Sequence, residues 1–217
     1  MSNPVAVVAG GTSIKNIDLG ELQYKNIDII TVNKSVFSVG NPKYMITMDY
    51  TFLRKIDVSK LMSINTTKVF VANFSKDYIQ NVDGRIVDKR TNLIYDLKNF
   101  DMIVKSYRCE GMGVSFNDFR NGECSGFCGL QFAVLMGYNP IYLFGVDLVS
   151  VDGNTHFHGG YGESEDKFNR KLEVYYNNFV TGIDRLKQCL PSVSIYSCSK
   201  VSRLNNIIEY REIKDVR

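Results

Sequence analysis

Short apolar runs alternate along the chain with segments that carry helical periodicity or helix-start residues. The runs are rich in Val and Ile and lie at 5–9, 28–32, 44–48, 68–72, 141–144 and 192–196. Strands with this composition are buried on both faces, and strands separated by helices are typical of a parallel sheet. The pattern predicts an α/β fold: a single Rossmann-like domain with a mostly parallel sheet and helices on both faces.

Two helices are expected in the second half of the chain. The segment 125–137 (SGFCGLQFAVLMG) is apolar nearly all round, so it predicts a buried helix that ends at Gly137, shortly before Pro140. The segment 166–189 is amphipathic, because apolar residues recur there at three- and four-residue steps. These residues, which we expect to pack in the core, are Phe168, Leu172, Tyr175, Tyr176, Phe179, Ile183 and Leu186.

Residues 74–119 form the least regular part of the sequence. Asp83 and Gly84 are a turn signal, and the apolar pairs at 86–87 and 93–94 predict a hairpin. No stretch of the chain has the composition of a linker. We therefore interpret 1–217 as one domain in which 74–119 is an irregular insertion near an edge of the sheet.

Composition excludes few classes of protein. The net charge of +3 in 217 residues gives no indication of a nucleic-acid partner. Cys124 and Cys128 lack a second Cys or His pair at matching spacing, so free thiols are expected rather than a metal site. The N-terminus lacks a signal pattern, and no apolar run approaches the ~20 residues that span a bilayer. We expect a cytoplasmic protein without a transmembrane segment.

The loop after the first strand carries Gly10, Gly11, Thr12 and Ser13. In an open α/β sheet, ligands bind beyond the carboxyl ends of the strands. The glycines let the backbone approach a ligand, and Thr12 and Ser13 can bond a phosphate or cap the next helix. Because the loop lacks the later glycine of the dinucleotide fingerprint and the Lys of a P-loop, it argues against an NAD site and an ordinary ATP-binding loop. A plain glycine turn is the alternative.

Polar residues follow other strands at the same edge. Asn33 follows the second strand and Asp49 ends the third. Each could contact a base or ribose or cap the next helix, and Asp49 could also hold a metal. Ser125 and Gly126 begin the buried helix, whose N-terminus favours an anion or a base carbonyl, with an ordinary cap as the alternative.

The loop after the fifth strand contains the only two histidines of the chain. Asp147 ends the strand segment, and His156 and His158 follow in a glycine-rich stretch. Because histidine suits proton transfer near neutral pH, we predict that at least one of them is catalytic. A metal bound by the histidines with Asp147 or Asp152 is the alternative, although one His-x-His pair is a weak metal pattern.

Together these segments resemble the small bacterial sialyltransferases of glycosyltransferase family 42. The wider group includes the motility-accessory-factor glycosyltransferases and the archaeal hydroxymethylpterin diphosphokinases. The similar segments are the opening loop at 10–14, Asn33 in VNKSVF, Ser-Gly at 125–126, Met-Gly-Tyr at 136–138, IYLFGVD at 141–147 and IYSCSKVSRL near the end. They cover most of the chain in the family's order, and 124–147 is the most specific part. The resemblance implies a GT-A-like variant of the Rossmann-like fold.

The resemblance also implies an activity. It implies a glycosyltransferase that moves a sugar from a nucleotide donor, of the CMP type, to an acceptor hydroxyl without a required metal or cofactor. His156 or His158 is then the general base and Tyr161 a phosphate contact. The implied nucleotide contacts are Gly11, Thr12, Ser13, Asn33, Ser125 and Gly126, with Gly10, Asp49 and Asp147 as further candidates.

Some positions depart from the family's pattern. Glu123 stands near the place of a family Arg, and Asp49 stands where the family has an Asn, so a sugar other than sialic acid is an option. The loop Asn-Thr-His-Phe-His-Gly is similar to that of the diphosphokinase branch, which uses magnesium. A magnesium-dependent diphosphotransferase with Asp49, Asp147 and Asp152 on the metal is one alternative. A non-catalytic nucleotide-binding module is the other, and a homo-oligomer is compatible with either.

Overall fold

The computed structural model describes residues 2–82, 85–89, 91–95, 97–154, 156–158 and 164–216, without the side chains of Thr51 and Glu165. Its strands are β1 Val5–Val8, β2 Asp28–Val32, β3 Tyr44–Thr47, β4 Thr67–Asn73, β5 Ile79–Val82, β6 Arg85–Asp88, β7 Leu93–Tyr95, β8 Met102–Ser106, β9 Ile141–Phe144, β10 Ile195–Ser197 and β11 Glu209–Tyr210. Its α-helices are α1 Tyr50–Lys55, α2 Val58–Met62, α3 Ser125–Leu135 and α4 Glu165–Cys189.

Eight of these strands form one parallel sheet in the order β11-β10-β9-β1-β2-β3-β4-β8. From β1 the chain proceeds to one side through β2, β3, β4 and β8, and from β9 it proceeds to the other side. The order therefore reverses between β1 and β9. In open α/β sheets, ligands bind at such a reversal, beyond the carboxyl ends of the strands.

One face of the sheet is covered by α3 and α4. Val5 and Val7 of β1 belong to the same buried cluster as the side chains of α3. Phe127 of α3 meets Phe179 of α4 edge to face, with ring centroids 5.2 Å apart. A helix that packs between a sheet and a second helix buries apolar residues all round, which explains the composition of 125–137.

The other face is covered in a different way. Ala6 and Val8 of β1 pack against 3-10 helices at Thr12–Asn16 and Leu19–Tyr24. Farther along, Met45 of β3 packs against α1 and α2. At β4, Phe70 packs against the separate antiparallel sheet β5-β6-β7. This face therefore has short helices and a small sheet in place of long α-helices.

The predicted helices are present, with small shifts at their ends. The predicted 125–137 helix ends at Leu135, and Gly137 follows with a φ of 79°. The apolar residues of α4 pack in or against the core, as expected. Among the described residues, no helix is both long and apolar enough to cross a membrane.

The insertion at 74–119 contains more regular structure than predicted. The hairpin between 86–87 and 93–94 is confirmed, since β6 and β7 pair antiparallel in that register. The turn predicted at Asp83 and Gly84 lies outside the described residues. The last strand of the insertion, β8, extends the parallel sheet and was not predicted.

The close packing of α3 on the sheet predicts that a larger side chain at their contact lowers the stability of the protein. A Cβ added at Gly129 would lie 2.9 Å from Val7 Cγ1 and 3.1 Å from Val32 Cγ2. We expect Gly129→Ala to lower the free energy of unfolding by about 1–2 kcal/mol, since the overpacking outweighs the gain in helix propensity. Urea unfolding measures this change.

Gly126→Ala is the matched control in the same helix. A Cβ at Gly126 meets no described atom closer than 3.6 Å, so this variant keeps or slightly raises the stability. Equal stabilities of the two variants would contradict the packing described for α3.

Candidate functional site

A cleft of about 730 Å³ opens at the carboxyl edge of the parallel sheet, on the reversal between β1 and β9. Its floor comes from the loops that follow β1, β2, β3 and β9. The N-terminus of α3, the first turns of α4 and residues of the insertion form its walls. Most of the residues predicted from the sequence therefore meet in one place.

The opening loop is held to β9 through the buried carboxylate of Asp147. This carboxylate accepts hydrogen bonds from Ser13 Oγ at 2.6 Å, from Ser13 N at 2.9 Å and from Thr12 Oγ1 at 3.4 Å. The Gly11 N–H also donates to the Gly145 carbonyl at 2.7 Å. A Cβ at Gly11 would lie 2.5 Å from both the Asp147 carboxylate and the Gly145 oxygen, so glycine is required there.

These contacts place Thr12 and Ser13 beside Asp147. Among the described residues, neither lines the cleft, and both hydroxyls bind Asp147. Asp147 lines the cleft, but its carboxylate holds the loop. Gly10 and Gly11 do line the cleft.

The two histidines lie over the opening loop. His156 and His158 line the cleft with their rings nearly parallel, 25° apart in orientation and 5.1 Å between centroids. Phe157, between them, packs against the core and donates its N–H to the Gly10 carbonyl at 3.0 Å. A Cβ at Gly10 would lie 3.2 Å from His156 Cδ2 and 3.9 Å from His158 Nε2. The imidazoles therefore lie against Gly10, and the ring of Phe168 of α4 lies 5.1 Å from that of His156.

Asn33 presents an unused acceptor in the same cleft. It has a left-handed backbone, with φ 55°, directly after β2, and it lines the cleft. Its Oδ1 is buried and has no hydrogen-bond partner among the described residues. Because an unsatisfied buried acceptor costs about 1–3 kcal/mol, this atom is suited to a donor on a ligand.

The N-terminus of α3 faces the cleft. The residue that caps this helix differs from the one predicted. Cys124, not Ser125, is the N-cap residue, and burial raises the pKa of its thiol. Ser125 Oγ accepts a long hydrogen bond from Met48 N, at 3.4 Å. Ser125 and Gly126 both line the cleft, so the first amides of the helix lie near its floor.

A buried amide fixes the turn that leads into α3. Asn121 donates from Nδ2 to Asn73 Oδ1, to Ser106 Oγ and to the Arg108 carbonyl, and its own Oδ1 accepts from Glu123 N. Asn73 ends β4 and Ser106 ends β8. The carboxyl ends of these two strands therefore determine where α3 begins.

Charged side chains of both signs line the cleft. Lys76 Nζ lies 2.6 Å from Glu123 Oε1, and this hydrogen bond raises the pKa of Lys76. Lys167 and Lys171 line it from the first turns of α4, and Asp49 lines it two residues after the end of β3. The lysines provide positive charge for an anionic ligand, with the Lys76–Glu123 pair near the N-terminus of α3.

The magnesium alternative gains no support from the placement of its aspartates. Asp152 is exposed in a turn and does not line the cleft among the described residues, and Asp147 is bonded to Ser13. In the described part of the chain, no group of three or more His, Cys, Asp or Glu side chains is placed to hold a metal. The predicted phosphate contact, Tyr161, lies outside the described residues.

The insertion contributes residues that the sequence reasoning missed. Tyr78, Asp88 and Tyr95 line the cleft from the small sheet, next to Tyr50 of α1. The rings of Tyr50 and Tyr95 lie 4.6 Å apart, and burial raises the pKa of Tyr50. Of these four residues, only Tyr50 directly follows a residue predicted for the site, Asp49. The sequence pattern therefore offered little indication that the other three lie at the cleft.

Comparison with known proteins supports the fold. No family model and no curated protein matches the sequence. Among solved structures, the chain is similar to the sialyltransferase CstII from Campylobacter jejuni, determined in complex with the substrate analogue CMP-3FNeuAc. The TM-score is 0.51 at 16% identity, over 96% of this chain and 85% of that one. This chain has a sialyltransferase-like α/β fold, which confirms the fold class predicted from the sequence.

Proposed function

We propose that this protein is a glycosyltransferase that transfers a sugar from a CMP-type donor to an acceptor hydroxyl. The observation that carries the proposal is the position of its only two histidines, which lie over Gly10 in a cleft at the strand-order reversal. This cleft therefore brings a candidate base next to the residues proposed for the nucleotide. The similar solved structure, a sialyltransferase with a CMP-sugar analogue, adds support through its fold.

The donor fits the floor of the cleft. Gly10 and Gly11 leave room for close approach to the backbone, and the amides of the first turn of α3 favour a phosphate or a base carbonyl. The free Oδ1 of Asn33 can accept from an amino group or a hydroxyl of the nucleoside. Lys167 and Lys171 add positive charge on the facing wall.

In the proposed reaction, one histidine removes the proton from the acceptor hydroxyl. The acceptor oxygen attacks the anomeric carbon, and the bond from that carbon to the phosphate oxygen breaks. CMP leaves as a phosphate monoester, and the helix N-terminus with the cleft lysines stabilises the charge that develops on it. A positioned base contributes about 10²–10⁴-fold to such a step.

Nucleotide binding is tested by thermal unfolding with CMP, UMP, UDP and ATP, each with magnesium and with chelator. CMP at a hundred times its dissociation constant adds about 2.7 kcal/mol, which for a domain of this size raises the midpoint by roughly 5–10 °C. We expect this shift with CMP, unchanged by chelator.

Gly126→Ala, which adds a methyl group at the α3 N-terminus without an internal clash, is expected to reduce this CMP shift. A shift with ATP that needs magnesium would favour diphosphate transfer instead. The absence of a shift with every nucleotide would contradict the proposal.

The role of Asn33 is tested by Asn33→Gly, because glycine keeps the left-handed backbone while removing the side chain. Loss of one hydrogen bond of about 0.5–1.5 kcal/mol should weaken CMP binding several-fold, as measured by calorimetry. Asn41→Gly is the control, since Asn41 also has a positive φ, of 48°, but is exposed outside the cleft. Equal affinities of the two variants would show that Asn33 does not contact the nucleotide.

The histidines are tested by His156→Gln and His158→Gln, with release of CMP from CMP-sialic acid and a glycan panel as the assay. We expect the variant that lacks the base to lose about 10²–10⁴-fold in turnover and to keep the CMP-induced thermal shift. Full turnover in both variants would exclude a histidine base. A wild-type protein that binds CMP without turnover would favour the non-catalytic module.

A further inference from the structure

Three arginines surround one carboxylate outside the cleft. Arg120 binds Asp118 through two hydrogen bonds, from Nε to Oδ1 at 3.2 Å and from Nη2 to Oδ2 at 3.0 Å. Arg185 of α4 approaches the same Oδ2 with its Nη2 at 3.8 Å. The hydrogen bond from Arg120 lowers the pKa of Asp118, and the charges of Arg185 and Arg108 lower it further. Among the described residues, none of these four lines the cleft.

The backbone places Arg108 and Arg120 side by side. The two residues form an isolated parallel β-bridge just beyond the end of β8, and the Asn121 N–H donates to the Arg108 carbonyl at 3.0 Å. Paired residues of neighbouring extended segments direct their side chains to the same face. Exposed Arg108 therefore extends on the side of Arg120 and Asp118.

Arg120 is held firmly within the protein. The side chain of Gln131, which is fully buried in α3, accepts from Arg120 N at 3.4 Å and donates to the Arg120 carbonyl at 3.1 Å. Arg120 Nη1 donates to the Glu110 carbonyl at 2.9 Å. The chain passes so close that a Cβ at Gly111 would lie 3.2 Å from this Nη1. All three nitrogens of the Arg120 guanidinium thus bond within the protein, and its charge is fixed in position.

The other two arginines have donors that these contacts do not use. The 3.8 Å contact of Arg185 with Asp118 is an ion pair, but it is longer than a hydrogen bond. Arg185 Nε has no partner among the described residues, and the side chain as a whole is 40% exposed. Three guanidinium groups thus face one carboxylate, which is an excess of two positive charges within this arginine cluster.

We propose that Arg108 and Arg185, supported by the charge of Arg120, bind a phosphate group at a site separate from the cleft. A guanidinium presents a planar fork of donors that matches the oxygens of a phosphate, and hydrogen bonds between charged groups are stronger than those between neutral ones. A phosphate group carries roughly two negative charges near neutral pH, which offsets the excess charge of the cluster. This site is independent of the proposed transferase activity.

Phosphate binding is tested by phosphorus NMR line width with two probes, inorganic phosphate and methyl phosphate, against a background of chloride at constant ionic strength. Arg185→Gln removes one guanidinium of the site. Arg108→Gln removes the other and leaves the bonds between Arg120 and Asp118 in place, so the fold does not depend on it. Lys187→Gln is the matched control, because it removes the same charge two residues further along α4, where side chains do not share a face.

We expect saturable binding of phosphate to the wild-type protein. Arg108→Gln and Arg185→Gln should each weaken it about tenfold, since each removes a charge-assisted contact, and Lys187→Gln should keep the wild-type affinity. CMP should not displace the probe. Binding of both probes would extend the ligand to phosphate monoesters, whereas binding of inorganic phosphate alone would restrict it to the free ion.

Three results would overturn the site. The first is no binding beyond that of chloride, and the second is an equal loss in all three variants, which would indicate non-specific attraction. The third is displacement of phosphate by CMP, which would place the probe in the cleft. Phosphate binding that depends on the arginines, in a protein that shows no thermal shift with CMP, would support this site and contradict the nucleotide site, so the two failures are distinguishable.

Discussion

The buried carboxylate of Asp147 joins the two strands between which the order of the sheet reverses. It holds Ser13 through both the hydroxyl and the N–H, and it leaves no space for a side chain at Gly11. A buried carboxylate is stable only when its hydrogen bonds are made, so the loop and the strand end depend on each other. The position of Gly10, and therefore of the histidine segment bonded to its carbonyl, follows from this contact.

The hydrogen bonds of a second buried side chain, Asn121, fix the other side of the cleft. Asn121 joins the ends of β4 and β8 to the turn before α3. Asp147 thus sets the opening loop, and Asn121 sets the helix N-terminus. On the floor of the cleft between them lie Gly10, Gly11, the first residues of α3 and the buried acceptor of Asn33. Such a floor is rigid, because its geometry does not depend on flexible side chains.

The sequence predicted those parts of the fold that bury continuous apolar runs. The central strands β1 to β4 and β9 are buried on both faces, so their composition alone identifies them. The edge strand β8 was not predicted, because Ile103 and Lys105 are exposed. Buried and exposed residues alternate in this strand, so its sequence contains no continuous apolar run. The short 3-10 helices of the second face have too few residues to show a period.

The candidate site, like the fold, was predictable only in part. Positions that follow central strands, such as Asn33 and Asp49, were found from the rule that ligands bind at strand ends. The roles of individual groups were less predictable, because they depend on contacts across the fold. Thr12 and Ser13 were expected to face a phosphate, but Asp147, 134 residues after Ser13, binds both hydroxyls. Tyr78 and Asp88 come from an insertion whose packing the sequence did not reveal.

The separate sheet β5-β6-β7 has a consequence for how this protein can change. It packs on the second face through its own apolar cluster, around Phe70 and Tyr95. The opening loop, the histidines and the start of α3 belong to other clusters and other hydrogen bonds. Mutations within the small sheet can therefore reshape one wall of the cleft while the remaining walls keep their geometry. Related proteins could therefore differ in the residues of that wall while the opening loop, the histidines and the start of α3 keep their arrangement.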